Sequence, residues 1–208
     1  VEAARRDVVS PGLRLPWISV YGNHDGLLQG KVAIDTDLRA LAVGDVRTTE
    51  PPADAQLLTT DESISGAGPA RYIHDESSPF VTIPPDAERD FTTPAEFART
   101  TRPDDEDDTT YFATDVGGLR VIALDTINPH GGWQGSLGRA QFAWLSRQLA
   151  AASDRYVVIT SHHPSPTLLN DHRPEDAEER VLGGEVAELL LAHPQVIAWI
   201  AGHVHFHA

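Results

Sequence analysis

Three apolar runs, far apart in the chain, each end in a cluster of polar side chains: "WISVYGNHDG" at 17–26, "YVVITSHHP" at 156–164 and "VIAWIAGHVH" at 196–205. A short run of β-branched and aromatic residues broken by Gly or Pro reads as a buried strand running into a loop. Strands of this kind, separated by helical stretches, assemble into an α/β sheet. Ligands of such sheets bind beyond the carboxyl ends of the strands. If the three strands run parallel, Asn23, His24, Asp25, His162, His163, His203 and His205 meet at one edge.

The second half of the chain supplies the rest of that sheet. "YFATDVGGLRVIALDT" at 111–126 predicts a hairpin turning through Val116, Gly117 and Gly118. "GSLGRAQFAWLSRQLAAAS" predicts an amphipathic helix with Phe142, Leu145, Leu149 and Ala152 on one stripe. A second helix is expected over 174–193, interrupted at Gly183 and Gly184. The expected fold class is therefore α/β.

Residues 30–110 differ in character. A helix is expected over 34–43, and "TTPAEFART" carries a cap followed by a helical turn or two. Prolines, threonines and acids dominate the remainder, as in "TTEPPADAQ" and "RPDDEDDTT". The stretch is too long for an ordinary connection, so we read it as an insertion in a single domain spanning 1–208, placed where it could shape access to the site. The acidic run at 104–108 lacks the spacing and glycine of a calcium loop and reads as a solvated surface.

Composition narrows the partners. The net charge is −15, which disfavours nucleic acid and anionic membrane surfaces because phosphate backbones require clustered cations. No run approaches the roughly 18 apolar residues of a membrane-spanning helix. The absence of cysteine excludes disulfides and thiolate metal sites and leaves the compartment open. Few lysines beside many arginines and alanines suggest a GC-rich bacterial source. There is no methionine, and "VEAARRDVV" reads as a helix over 2–9 already under way, so the chain is expected to be a piece of a longer one. Oligomeric state is not readable from the pattern.

The clustered side chains suit a metal ion better than a nucleophile. Neutral imidazoles and an amide oxygen are good ligands for divalent transition metals. No serine or cysteine sits in a nucleophile turn, and no glycine-rich phosphate loop appears. Gly22 and Gly202 precede candidate ligands, where a missing Cβ lets the backbone turn sharply. Taken singly, each cluster has a plainer reading as a turn or a pair of edge-strand residues. Their joint occurrence after three strands decides for a metal site. A mononuclear zinc hydrolase using His162, His203 and His205 stays open, as does a metal-binding protein without catalysis.

"GNHD", "HHP" and "GHVH", in this order, resemble the motifs of the calcineurin-like metallophosphoesterase superfamily. The part from Tyr111 onward looks most like its class III cyclic-nucleotide phosphodiesterase-like branch, where a glycine-led helix with a Gln-x-x-Trp-Leu core follows an "LDT" strand. The resemblance covers 12–25 and 111–206. It implies a layered β-sandwich flanked by helices, incomplete in this chain, and two divalent metal ions drawn from manganese, iron and zinc. It implies that Asn23, His162 and His203 bind one ion and His205 the other. His24 would face the scissile phosphate of a small phosphate mono- or diester, with Asp25 orienting it. Two such ions about 3.5–4 Å apart clamp phosphate oxygens and generate hydroxide near neutral pH.

The family's upstream Asp-x-His and Gly-Asp motifs, which supply further ligands, are not in this sequence, where Asp7 is the only aspartate before Asn23. Truncation at the N-terminus, and at the C-terminus beyond His207, is the expected cause, leaving the chain inactive or nearly so by itself. His163 is expected to line the pocket or bond backbone. Asp125 is either a partner of a ligand histidine or the cap of the loop that follows it. His130 and Trp133 lie in a candidate substrate loop, with His130 expected at its surface. His74, His172 and His193 are expected at the surface, and His207 is not expected to bind metal.

Overall fold

The structure is a computed structural model that describes residues 9, 11–15, 17–50, 78–102 and 108–205. The helix expected over 2–9, the acidic run at 104–108, His74 and His207 fall outside these residues, apart from Val9 and Asp108.

"NHDG" folds as one short turn, α1 (Asn23–Gly26). The segment expected as the first strand, 17–21, is extended but joins no ladder among the described residues. Trp17 and Ile18 stay 53% and 39% exposed, while Tyr21 is buried. A strand exists only through a neighbour's backbone, which apolar patterning cannot supply. Tyr21 packs with Leu27 and Ile127, and its ring meets Phe97 edge-on at 5.0 Å. This small cluster fixes α1 beside the loop that follows 124.

Within 30–110, the described residues form two α-helices and a strand pair. Helix α2 (Thr36–Val43) starts where the Asp35 carboxylate accepts from the Leu38 N–H. Strands β1 (Val46–Thr48) and β2 (Phe80–Thr82) pair antiparallel. Helix α3 (Pro94–Thr101) begins with the cap expected from its sequence: Thr93 and Glu96 each accept from the other's backbone N–H. Such a cap is worth about 1 kcal/mol.

The main sheet has four strands among the described residues and opens on a hairpin. The expected hairpin is β3 (Phe112–Val116) and β4 (Leu119–Leu124). Its turn residues, Gly117 and Gly118, both have positive φ, which suits a tight right-twisting hairpin. Strand β5 (Leu137–Gly138) leads into helix α4 (Arg139–Ala151), whose N-terminus receives the Glu178 carboxylate on the Ala140 N–H. Strand β6 (Val157–Ser161) runs parallel to β4. Strand β7 (Arg180–Val181) pairs with β5, helix α5 (Gly183–Leu191) follows, and β8 (Val196–Ala201) runs parallel to β6. The result is the expected mixed α/β architecture.

Helices α4 and α5 cover one face. Leu145, Leu149 and Val186 are fully buried with Ile122, Leu124 and Ile159 of the sheet. The expected stripe on α4 is present, with Phe142 packed partly against it. On the opposite face Val116 and Ile200 remain 43% and 61% exposed. The helix expected over 174–193 is shorter. It begins at Gly183, whose N–H donates to the Leu168 carbonyl, and residues 180–181 form strand instead. Helical periodicity upstream of Gly183 is overridden by the ladder with β5.

Candidate metal centre

Strands β4, β6 and β8 end at one edge of the sheet, and the parallel arrangement carries their following residues to the same place. Directly after β6 comes His162, and directly after β8 and Gly202 comes His203. The Gly202 N–H donates to the His162 carbonyl at 3.0 Å and ties the two strand ends together. The His203 Nδ1 lies 3.2 Å from the His162 Nε2, with the rings close to perpendicular. His203 and His205 both hold left-handed backbone conformations, with φ of 67° and 54°. Each costs on the order of 1 kcal/mol for a residue with a Cβ, so packing elsewhere sustains the turn.

Asn23 reaches the same place from α1. It is buried, and its Nδ2 donates to the Gly30 carbonyl at 2.9 Å. That bond fixes which way the amide points. Its Oδ1 is left buried without a hydrogen-bond partner. A buried carbonyl-type oxygen without a donor is costly unless something else satisfies it, and a cation does so. Gly22 makes the approach possible, since a Cβ there would sit 3.1 Å from the His162 Nδ1. The same argument does not extend to Gly202, where a Cβ would have ordinary contacts of 3.8 Å or more.

Asn23, His24, His162, His203 and His205 line one cleft of about 360 Å³ with Gln29, Gly30, Lys31 and Trp133. The candidate residues are therefore brought together, with the exception of Asp25. The Asp25 carboxylate accepts from the Gly22 N–H at 2.9 Å, closing the first turn of α1. No hydrogen bond joins it to His24 among the described residues, so the expected orienting contact is absent. A carboxylate next to a histidine in sequence competes with nearby backbone N–H groups, and here the helix terminus wins.

The His162 and His203 imidazoles favour the neutral form that ligates metals. Burial, reinforced by neighbouring His203, pushes the His162 pKa down to about 4, although Asp25 opposes this. Burial and His205 lower that of His203. His163 is fully buried, with its Nδ1 2.8 Å from the Thr126 hydroxyl and its Nε2 3.0 Å from the Trp133 carbonyl. A carbonyl only accepts, so Nε2 carries the proton and Nδ1 accepts from Thr126. Although one of its ring nitrogens lies within 4.8 Å of one each from His162 and His203, both of its nitrogens are engaged, and it buttresses the site. Burial, against the Trp133 carbonyl, pushes its pKa down to about 3. The Ser161 hydroxyl donates to the His163 carbonyl and accepts from the Trp199 indole N–H, locking the turn between them.

The loop over 126–134 contributes Trp133 to the cleft. The Trp133 ring stacks on His203 with 5.8 Å between centroids and 13° between planes. Of the two readings for Asp125, the cap holds: its carboxylate accepts from the Ile127 N–H at 2.8 Å and from the Thr110 hydroxyl, and it bonds no histidine among the described residues. Burial pushes its carboxyl pKa up. Asp125 lines a separate cavity of about 320 Å³ with Tyr21, Gln141 and Arg180. His130 is half-buried and does not line the cleft. His172 and His193 are also half-buried, the latter bonding the Leu189 carbonyl through Nδ1.

Sequence reasoning missed Gln29, Gly30 and Lys31. The signal was a Gln-Gly pair between Leu28 and Val32, which forms a tight turn with two consecutive positive φ angles, 54° and 69°. It also missed Thr126, whose hydroxyl both accepts from the His163 N–H and donates to its ring.

Residues 2–207 match the calcineurin-like phosphoesterase family. A probable glycerophosphodiester phosphodiesterase of Arcobacter nitrofigilis is 34% identical over 88 residues, 42% of this chain and 31% of that protein. Tartrate-resistant acid phosphatase type 5 of Sus scrofa is 36% identical over 70 residues, 34% of this chain and 19% of that protein. The human enzyme of the same name is 36% identical over 69 residues, 33% and 19% respectively. Each alignment takes in less than a third of the relative's own length. With a family match spanning nearly all of its residues, and a mixed sheet that gathers histidines and an amide at one edge, the chain belongs to the calcineurin-like phosphoesterases, a family that generally uses divalent metal ions.

Proposed function

We propose that the natural protein containing this chain hydrolyses small phosphate esters at a centre of two divalent ions, manganese, iron or zinc. The orphaned, buried Asn23 Oδ1 beside the paired rings of His162 and His203 carries this reading. Those three donors would hold one ion, and His205 on the same cleft would contribute to the other. A phosphodiester is the favoured substrate class, from the resemblance to the cyclic-phosphodiesterase-like branch and from the printed name of the Arcobacter relative. The 208 residues carry three donors for one ion and one for the other, so the chain by itself should bind metal weakly and turn over poorly. The domain would be single, with 30–110 as an insertion that shapes access to the cleft from its Gly30–Lys31 end.

Bound divalent ions would supply charge neutralisation at the phosphate oxygens and an acidified water as the hydroxide source. The chain's residues do the rest. Neutral His162 and His203 present lone pairs without losing a proton first. The Gly30 carbonyl keeps the Asn23 oxygen aimed inward. Exposed His24, with no hydrogen bond of its own among the described residues, is free to donate to a phosphate oxygen or protonate the leaving group. Trp133 screens His203 from water on one side.

The test is turnover of a chromogenic phosphodiester and monoester by the natural protein with added manganese, alongside Asn23→Ala. Turnover with at least a tenfold loss in the variant, and a metal stoichiometry of two, is expected. A stoichiometry of one would favour the mononuclear arrangement of His162, His203 and His205. Metal binding without turnover of either ester would overturn the enzymatic reading.

A further inference from the structure

We propose that Lys31 is the substrate's anion contact, binding a phosphate oxygen in the cleft that the histidine cluster lines. This deepens the phosphoesterase reading and rests on it. Lys31 is the only lysine in the chain, and it lines the same cleft as Asn23, His24, His162 and His203. Its position is built. The Lys31 N–H closes the left-handed turn on the Leu28 carbonyl at 3.1 Å, and the Lys31 carbonyl accepts from the Gly132 N–H at 2.6 Å. The backbone is thereby clamped between the turn that aims Asn23 and the loop that carries Trp133. Gly131 leaves room for this contact, since a Cβ there would come within 3.0 Å of the Lys31 carbonyl.

The side chain, by contrast, is unclaimed. The chain holds 31 acidic residues against 16 lysines and arginines, and Arg39, Arg99, Arg120, Arg139 and Arg155 all sit in ion pairs. Lys31 makes neither an ion pair nor a side-chain hydrogen bond among the described residues. A net charge of −15 repels an anionic ester at long range. Lys31, lining the cleft, would add to the ions' attraction for such a substrate, as a compact charge with three donors suited to a phosphate oxygen.

The experiment compares Lys31→Gln and Lys31→Arg with the unaltered natural protein. Binding of inorganic phosphate is measured by calorimetry in the presence of manganese, manganese affinity is measured alone, and KM and kcat are measured for two diesters, one with neutral organic groups and one bearing a further phosphate. Lys31→Gln is expected to weaken phosphate binding and raise KM about tenfold, the loss of one charge-assisted hydrogen bond, with kcat and manganese affinity within about twofold. Lys31→Arg should restore most of the phosphate affinity. An equal KM effect on both diesters assigns the contact to the scissile phosphate, and an effect only on the doubly charged one assigns it to the second phosphate. Unchanged phosphate affinity and KM would overturn the proposal, as would a parallel loss of manganese affinity, which would make the residue a support of the turn. If the unaltered protein turns over neither diester, the enzymatic reading fails, and the phosphate calorimetry still decides whether Lys31 binds the anion.

Discussion

Gly30 meets two separate demands at once. Its φ of 69° lies in the left-handed region, where a Cβ costs roughly 1–2 kcal/mol. A Cβ there would also come within 2.7 Å of both the Asn23 Nδ2 and the His24 Nε2. Gly117 has a similar φ, 57°, and nothing within 4 Å of where its Cβ would stand. The pair separates torsion from crowding. Gly117→Ala should lower stability by about 1 kcal/mol and leave metal affinity untouched. Gly30→Ala should cost more, and should also reduce manganese affinity because the crowded methyl displaces the Asn23 amide. Thermal denaturation with and without manganese reads both quantities, and equal behaviour of the two variants would count against the idea that Gly30 shapes the site. The candidate ligands themselves were legible as letters in the sequence, but Gly30 was not. A glycine two turns away from a motif carries no mark of what its missing Cβ avoids.

At the scale of elements, alternation and periodicity located the hairpin β3–β4, helix α4 and the strands β6 and β8. Ile122 and Leu124 of β4, Ile159 of β6 and Leu145 and Leu149 of α4 are fully buried, whereas β8, expected as a buried strand, only packs Val196 and Trp199 partly against them. The failures occurred where an element's state depends on a partner distant in sequence. Residues 17–21 have the composition of a strand and no ladder among the described residues, and 180–181 left a helical pattern to pair with β5. Gly183 shows the same dependence. Within a helix, replacing glycine by alanine ordinarily gains up to about 1 kcal/mol. Here a Cβ would lie 2.0 Å from the Ser165 carbonyl, a backbone atom that cannot rotate away. The sign should therefore reverse, with Gly183→Ala destabilising by about 1–3 kcal/mol through overpacking. Gly184, one residue on, has nothing within 4 Å of its would-be Cβ, so Gly184→Ala should be neutral or stabilising. Denaturant midpoints of the two variants check the contrast, and a stabilised Gly183→Ala would mean that α5 shifts freely against the 165–167 turn.

Across the whole molecule, the candidate site joins segments that little else connects. Among the described residues no helix is long and apolar enough to cross a membrane, and the apolar side chains are spent mainly on one face of the sheet. Strands β6 and β8 are bound to each other by a parallel ladder, whereas α1 meets them through Gly22 and Asn23 against His162, at the cleft. Topology explains half of that meeting: parallel β6 and β8 send His162 and His203 to one edge, as the sequence foresaw, whereas Asn23 arrives from a segment that joins no ladder among the described residues. An ion shared by Asn23, His162 and His203 would be a crosslink between these segments, present only in the folded state. Linkage then requires that metal stabilise the fold, by about 2.7 kcal/mol at a hundredfold excess over Kd. For a protein of this size the corresponding rise in Tm is about 5–10 °C. Stripping the natural protein with a chelator should lower Tm by that amount, readdition of manganese should restore it, and Asn23→Ala should abolish most of the difference while unfolding near the metal-free Tm. Metal that binds with full stoichiometry yet leaves Tm unmoved would have to bind the unfolded chain equally well. Asn23 and the two histidines would then not be converging on a common ion in the folded protein.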